Sequence, residues 1–158
     1  MTTHSLSHGS FSIERRYDAS PARVFAAFAD PARKARWFAC DGDWVVHEHV
    51  QDVRDGGREL WRVGPVGGPE HRNDTVYFDV VPGARLVWSY AMSVGGRRIS
   101  VSLATVELHP DGDGTRFVLT EHGAYLDGYD GAVDRERGTR IGLDNLEAYL
   151  NAGAPAQV

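Results

Sequence analysis

The chain has 158 residues and a formal net charge of −5, with 42% hydrophobic and 25% charged residues. This length is typical of one globular domain, which can bury about 68–70% of its unfolded surface. The acidic balance argues against a nucleic-acid partner, because phosphate-binding surfaces require concentrated positive charge. One cysteine, Cys40, excludes an internal disulfide, and we interpret it as a small buried residue in a reducing compartment.

No segment of the sequence indicates secretion or membrane insertion. The first ten residues are polar and lack the apolar core of a signal peptide. No apolar run approaches the roughly 20 residues that cross a bilayer. We therefore predict a cytoplasmic protein without a membrane span. We expect residues 1–10 to form a disordered tail and residues 11–151 to form a single ligand-binding domain.

The first part of the chain predicts a strand followed by two short helices. Polar and apolar residues alternate over residues 11–18, which is typical of a strand with one buried face. Ser20-Pro21 and Asp30-Pro31 each place an N-cap residue before a proline at the first helical position. The second helix is expected to end at about Trp37.

The middle of the chain predicts about six strands joined mainly by tight turns. The turn signals are Asp55-Gly56-Gly57, Pro82-Gly83, Gly95-Gly96 and Asp111-Gly112-Asp113-Gly114. Strands joined by such short turns are antiparallel, because a parallel pair requires a longer crossover. The apolar phase changes between Leu103 and Val106, so we expect a β-bulge near Ala104 or Thr105.

The end of the chain predicts a long amphipathic helix from about Tyr129 to Asn151. Apolar and small residues recur there at helical spacing: Thr139, Leu143, Leu146 and Leu150. A sheet of about seven strands curls through its twist, and this helix is the element able to cover its concave face. The predicted fold class is α+β, a curved antiparallel sheet wrapped around the C-terminal helix.

Motifs at both ends and in the middle of the chain match a known pattern. They are residues 15–28, Asp30-Pro31, Trp37-Phe38, the Asp-x-Arg-x-Gly-Gly sequence at 52–57, Thr115, residues 120–123 and residues 138–150. Together they resemble the activator of heat-shock-protein-90 ATPase homologue group of the START-like (SRPBCC) superfamily, over about residues 11–150. The resemblance implies a helix-grip fold with a deep pocket between sheet and helix.

The resemblance also implies alternative functions. Much of the superfamily binds hydrophobic ligands, whereas a few branches are cyclases, dehydratases or hydrolases, and the group takes its name from a chaperone-activating branch. Many members carry tryptophan after the glycine of the last helix, but this chain has Thr139 after Gly138. The smaller side chain is expected to leave more room in the pocket.

Aromatic residues are the strongest indication of a pocket. Trp88 and Tyr90 share a strand face with Leu86 and Met92, and large rings with a polar edge suit a pocket wall, although such rings can also fill a core. We predict that the protein binds a small hydrophobic or aromatic molecule without a cofactor. The predicted pocket wall consists of Trp37, Phe38, Trp61, Tyr77, Trp88, Tyr90, Val101, Leu103, Tyr125 and Thr139.

Glu121 and His122 are the candidate catalytic residues for the alternative hypothesis, an enzyme that uses the same cavity. As neighbours on one strand they point to opposite faces, and Glu121 shares the inward face with Phe117 and Leu119. A buried glutamate could act as a general acid or base with a raised pKa. An ion pair with an arginine, or an exposed strand end, is the structural alternative.

The remaining polar motifs favour structural interpretations. His47 and His49 share a strand face but lack a convincing third ligand, so we interpret them as surface residues and predict no metal site. The mixed-charge run at 134–137 is typical of a solvated helix face. Asp52 and Arg54 are assigned to folding. A homodimer or a chaperone contact would require an exposed apolar patch, which the sequence does not reveal.

Overall fold

The computed structural model describes residues 4–38 and 42–153. The strands are β1 (Leu6–Tyr17), β2 (Trp44–Gln51), β3 (Arg58–Pro65), β4 (His71–Val81), β5 (Arg85–Val94), β6 (Arg97–Asp111) and β7 (Gly114–Leu126). The helices are α1 (Pro21–Ala29), α2 (Pro31–Lys34) and α3 (Ala132–Gly153). All strands form one antiparallel sheet in the order β1-β7-β6-β5-β4-β3-β2. The predicted α+β helix-grip class is therefore confirmed.

Strand β1 begins earlier than the sequence pattern suggested. Leu6 pairs with Leu126 of β7, so the prediction of a disordered tail is wrong for residues 6–10. Backbone hydrogen bonds to β7 hold this polar segment, and such bonds leave no apolar alternation in the sequence. Cys40, which we predicted to be buried, lies outside the described residues.

The two short helices begin where the capping residues predict. The Ser20 hydroxyl accepts a hydrogen bond from the Arg23 amide at 3.2 Å, and the Asp30 carboxylate accepts one from the Ala32 amide at 2.9 Å. Helix α2 ends at Lys34, earlier than expected, and a turn carries the chain to Trp37. The Trp37 indole donates to the carbonyl of Ala27 at 2.9 Å, which holds this turn against α1.

The Asp-x-Arg-x-Gly-Gly motif forms the connection between β2 and β3. Arg54 Nε donates to the Asp52 carboxylate at 2.7 Å, and Gly56 has a φ of +79°, which favours glycine. A Cβ on Gly57 would lie 2.0 Å from the Asp52 carbonyl oxygen. These contacts agree with the folding role assigned to the motif.

The β-bulge predicted near Ala104 or Thr105 is wrong. Strand β6 pairs with β7 in continuous register, and its register with β5 shifts at Ile99 instead. Its inward positions alternate without interruption along the strand: Ser100, Ser102, Ala104, Val106 and Leu108. The apolar phase changed in the sequence because two of these buried positions are serines.

Helix α3 packs differently along its two halves. Its leucines, Leu143, Leu146 and Leu150, are buried in a core that they share with Phe28 and Phe117. The first half of α3 instead presents small residues to the sheet, and the helix lies closest to β1 and α1. Space therefore remains between this half and the central strands. Within the residues described, no helix is long and apolar enough to cross a membrane.

Candidate functional site

A cavity of about 310 Å³ lies between the sheet and the first half of α3. Its size is at the lower end of the range for small-molecule sites. Residues from α1, α2 and the turn after it, four strands, the segment before α3, and α3 itself line it: Phe28, Lys34, Trp37, Phe38, Glu59, Trp61, Asn73, Thr75, Trp88, Tyr90, Met92, Leu119, Glu121, Asp130, Asp134, Arg135, Gly138, Thr139, Gly142 and Leu143. A neighbouring pocket of about 270 Å³ shares Phe38, Trp61, Asn73, Met92, Gly138 and Gly142.

Small residues on α3 create the space. A Cβ added to Gly138 or Gly142 would meet no atom within 4 Å outside its own helix turn. Between them, the Thr139 hydroxyl donates back to the Arg135 carbonyl at 2.8 Å and so turns its polar atom toward its own helix. A larger side chain at any of these positions would extend into the cavity.

Aromatic side chains form the apolar wall. The rings of Phe28 and Trp37 meet edge to face with centroids 4.9 Å apart, and those of Phe38 and Trp61 lie 5.0 Å apart. Trp88 lines the cavity from β5. Such contacts fix the positions of the rings, so this part of the wall is apolar and held in place.

A polar cluster contributed by β5, β6, β7 and α3 forms one part of the wall; we call it the Glu121 cluster. The Tyr90 hydroxyl donates to Glu121 Oε2 at 2.7 Å and accepts from Arg135 Nη1 at 2.8 Å. Arg135 Nη2 donates to the Ser100 hydroxyl and to Asp130 Oδ2, both at 2.6 Å. Arg135 itself is only 8% exposed, so this cluster ties α3 to the sheet.

Opposing electrostatic effects act on the Glu121 carboxyl. Burial raises the pKa of Glu121 above its ordinary value, although the hydrogen bond from Tyr90 and the charge of Arg135 oppose that shift. Burial and the adjacent Glu121 raise the pKa of Tyr90, which keeps its hydroxyl protonated. Glu121 and Arg135 are 3.6 Å apart, a separation too long for a direct hydrogen bond.

A second polar cluster, the Glu59 cluster, lies on the β2–β4 side of the sheet. The Glu59 carboxylate accepts hydrogen bonds from Lys34 Nζ at 2.8 Å, from the Trp61 indole at 2.5 Å and from the Tyr77 hydroxyl. His49 Nε2 lies 3.3 Å from Glu59 Oε2, the oxygen that also accepts from the Trp61 indole. Burial raises the pKa of Glu59, but Lys34 and the hydrogen bonds outweigh burial and lower the pKa to about 2.

The structure brings most of the predicted wall residues to the cavity. Six of them line it: Trp37, Phe38, Trp61, Trp88, Tyr90 and Thr139. Tyr77 and Tyr125 are buried beside it without lining it. Of the two catalytic candidates, Glu121 lines the cavity, whereas His122 is exposed on the opposite face of β7.

Val101 and Leu103 are corrections to the predicted wall. Both are 43% exposed on the outer face of β6, because the inward positions of this strand belong to Ser100 and Ser102. Those serines accept hydrogen bonds from Arg135. A polar inner face opposite a buried arginine reverses the usual rule that the apolar face of a strand is the inner one.

The structure also corrects the interpretations of His49 and Arg135 as surface residues. His47 is exposed as predicted, but the His49 side chain is only 11% exposed and stacks on Trp61 with ring centroids 3.6 Å apart. Arg135, which we assigned to a solvated face, is buried. Across residues 4–38 and 42–153, no three His, Cys, Asp or Glu residues lie close enough together to hold a metal ion.

Sequence reasoning missed Glu59, Lys34 and Arg135. One signal was available for Glu59: it lies two residues before Trp61 on β3 and therefore shares its inward face. No comparable signal marked Lys34 or Arg135, because each lies in a charged helical segment that is typical of the surface.

Comparisons with known proteins identify the family. Residues 18–151 match the family model for "Activator of Hsp90 ATPase homolog 1-like protein". A protein of Rhizobium leguminosarum has a structure similar to this chain, with a TM-score of 0.90 and 43% identity over 96% of this chain and 99% of that one. A protein of Rhizobium loti gives a TM-score of 0.85 and 49% identity over 92% and 99%.

More distant structures share the fold. An AHSA1-like protein of Aeromonas hydrophila has a TM-score of 0.71 and 23% identity over 92% of this chain and 94% of that one. No curated protein sequence matches this chain. The family model spans strands β2 to β7 and nearly all of helix α3, and so includes the elements that form the cavity. The chain therefore belongs to the activator of Hsp90 ATPase homologue 1-like family, with its START-like helix-grip fold.

Proposed function

We propose that this protein binds a small, largely apolar organic molecule in the cavity between the sheet and α3. The observation that carries the proposal is the combination of an aromatic wall with one buried polar cluster facing the same space. Ligand sites in proteins typically combine a mostly apolar lining with a few placed polar groups. In this proposal the rings of Trp37, Trp61 and Trp88 contact the apolar body, and Glu121 with Tyr90 contacts a polar group.

The polar group of the ligand is expected to determine whether its binding free energy is favourable. A ligand that loses about 200 Å² of apolar surface gains roughly 5 kcal/mol from burial. Association costs an estimated 4 kcal/mol or more in lost translational and rotational freedom. Apolar burial alone is therefore close to the cost of binding. The hydrogen bonds at Glu121 and Tyr90 would determine which apolar molecules bind measurably.

Tryptophan fluorescence tests the proposal, since three tryptophans line the cavity. We expect a saturable quench when the protein is titrated with at least one member of a panel of small aromatic and aliphatic alcohols, amines and acids. Thr139→Phe adds a ring that extends into the cavity and is expected to abolish the quench. Val133→Phe adds the same ring at a position on α3 that is 74% exposed and should leave it unchanged.

Two outcomes would contradict the proposal. The wild-type protein could show no saturable response to any member of the panel. Alternatively, Thr139→Phe could bind as tightly as Val133→Phe, which would move the site away from the cavity. Circular dichroism of both variants provides the control for folding.

Catalysis in the same cavity is the second candidate. The observation that favours it is Glu121, a buried carboxyl with a raised pKa beside a tyrosine hydroxyl, which is the arrangement of a general acid or base. Hydrolysis of a small apolar ester such as 1-naphthyl acetate is one direct test. Turnover that falls roughly 100-fold in Glu121→Gln would support general acid–base catalysis, and turnover unchanged by that substitution would contradict it.

A further inference from the structure

The charged residues that line the cavity are mainly acidic. Four are acids, Glu59, Glu121, Asp130 and Asp134, and two are bases, Lys34 and Arg135. This excess matters because a bound molecule with its own charge must find a countercharge once water is excluded. The hydrogen bonds of the two bases determine whether they can supply one.

Arg135 is already committed to protein partners. Its Nη1 donates to the Tyr90 hydroxyl at 2.8 Å and to the Ser102 hydroxyl at 3.4 Å, and its Nη2 donates to Ser100 and Asp130. The Asp130 carboxylate, 2.6 Å away, balances its charge. A ligand carboxylate would have to displace one of these bonds to reach the guanidinium.

Lys34 is committed in the same way. Its Nζ lies 2.8 Å from the Glu59 carboxylate and 4.8 Å from the centroid of the Phe38 ring. Its side chain is 10% exposed and that of Glu59 is 1% exposed, so water does little to screen this pair. Releasing Lys34 to a ligand would leave Glu59 as a buried charge without its cation.

Glu121 differs from these groups because it retains acceptor capacity toward the cavity. A carboxylate offers about four acceptor positions, and the hydroxyls of Tyr90 and Ser102 donate to that of Glu121. Its distance of 3.6 Å from Arg135 is the longest among the ion pairs of the two clusters, and Asp130 makes the shorter contact with Arg135. A ligand group that donates a hydrogen bond would therefore meet a suitable partner.

We propose that the ligand is an apolar molecule whose polar group is a hydrogen-bond donor, a hydroxyl or a protonated amine, and that the cavity discriminates against carboxylates and other anions. This inference rests on the proposed binding function and names its ligand class. The donor would point at the Glu121 carboxyl, while the apolar body lies against the aromatic wall. An anion would instead face Glu121, Asp130 and Glu59 with both bases already paired.

Isothermal titration calorimetry with four naphthalene probes at pH 7.5 tests the inference. The probes are 2-naphthol, 2-naphthylmethylamine, 2-methoxynaphthalene and 2-naphthoate. They keep the ring constant and vary only the polar group between a neutral donor, a cationic donor, a neutral acceptor and an anion. We expect the alcohol and the amine to bind at least about tenfold more tightly than the carboxylate, because like charges repel strongly where water is excluded. The alcohol should also bind more tightly than the ether.

Matched variants locate the discrimination. Glu121→Gln keeps the size of the side chain and removes its charge, so the affinity for 2-naphthoate is expected to rise and that for the amine to fall. Glu14→Gln is the control, because Glu14 is exposed on β1 and paired with Arg116 at 2.8 Å; its ratio of affinities should equal the wild-type ratio. The wild-type ratio decides the inference even if Glu121→Gln does not fold.

The outcomes separate the two proposals. Binding of 2-naphthoate as tightly as 2-naphthol, or binding of the ether as tightly as the alcohol, would overturn the inference while leaving ligand binding supported. Failure of all four probes to bind would count against the proposed function, and the inference would fall with it. A preference for both donors that Glu121→Gln reduces and Glu14→Gln preserves is the supporting result.

Discussion

Glu59 and Glu121 are the same residue type in similar surroundings, yet they behave in opposite ways. Each is 3% exposed, lines the cavity and accepts a hydrogen bond from a tyrosine. They lie four strands apart, on β3 and β7. The pKa of Glu59 is lowered to about 2, whereas the pKa of Glu121 is raised.

The difference lies in the partners rather than in burial. Burial raises the pKa of both carboxyls, but Glu59 has a lysine at 2.8 Å and three further side-chain partners. Arg135 stands 3.6 Å from Glu121 and is neutralised mainly by Asp130. A carboxylate saturated with donors stabilises the fold, and one left short of donors can interact with a bound molecule. The partners of Glu59 agree with a structural role, whereas Glu121 is the residue that we propose contacts a ligand.

The largest expected effect comes from removing the cation of the Glu59 cluster. Lys34→Met keeps the length of the side chain but leaves the Glu59 carboxylate buried without its countercharge. Breaking one partner of a buried ion pair typically costs about 3–5 kcal/mol, so we expect a loss of that size in the free energy of unfolding. Urea denaturation at pH 7 measures it.

Arg33→Met is the matched control for Lys34→Met. Arg33 is the neighbouring residue on α2, and its side chain is 49% exposed beside Asp30. Exposed ion pairs contribute little, so this variant should stay close to wild-type stability. Equal losses in both variants would show that Lys34 acts through α2 rather than through Glu59.

Lowering the pH should remove the contribution of Glu59 to the stability of the fold. Because its folded pKa is about 2 and the ordinary value is 4.5, the unfolded state binds more protons between these pH values. The stabilisation is therefore present above pH 4.5 and is lost as the pH falls toward about 2. A shift of this size corresponds to about 3 kcal/mol. The difference in unfolding free energy between wild type and Glu59→Gln, measured from pH 3 to pH 6, should grow with pH.

Glu121 should show the opposite sign, with a smaller change. Its raised pKa means that the folded state holds the proton more tightly, so its contribution to stability is full below the ordinary carboxyl pKa and is lost as the pH rises through the folded value. Glu121→Gln cannot lose that proton. We expect the free energy of unfolding of the variant to rise relative to that of the wild type as the pH rises from 4.5 to 8. If the unfolding free energy of the wild type rose relative to that of the variant over that range, the raised pKa of Glu121 would be contradicted.

The sequence predicted the frame of the molecule because its signals are local. Each helix cap and each glycine turn determines the backbone geometry of only a few residues. The helices begin at the Ser20-Pro21 and Asp30-Pro31 caps, and the hairpins turn at the glycines. The leucine stripe of α3 likewise identified its buried face. Boundaries moved where tertiary pairing decided them, as at Leu6 of β1.

The polar half of the site could not be predicted because its signals are not local. Arg135 is buried only because Ser100, Tyr90 and Asp130 converge on it from three separate segments. Leu103 lies outside because those contacts make the serine face of β6 the inner one. A buried charge is determined by its partners, and pairs about 35 residues apart leave no periodicity in the sequence.

The smallest expected effect separates two tyrosines near the Glu121 cluster. The Tyr125 hydroxyl is buried and makes no hydrogen bond within the described part of the chain, whereas that of Tyr90 bonds both Glu121 and Arg135. A buried hydroxyl without a partner costs free energy, so Tyr125→Phe should leave stability unchanged or raise it by up to about 1 kcal/mol. Tyr90→Phe, the matched control, removes one hydroxyl from the same ring type and should lower stability by about 1–3 kcal/mol. Urea denaturation of both variants gives the comparison. A loss in Tyr125→Phe as large as that in Tyr90→Phe would mean that the Tyr125 hydroxyl has a partner in solution, which would extend the Glu121 cluster toward β1.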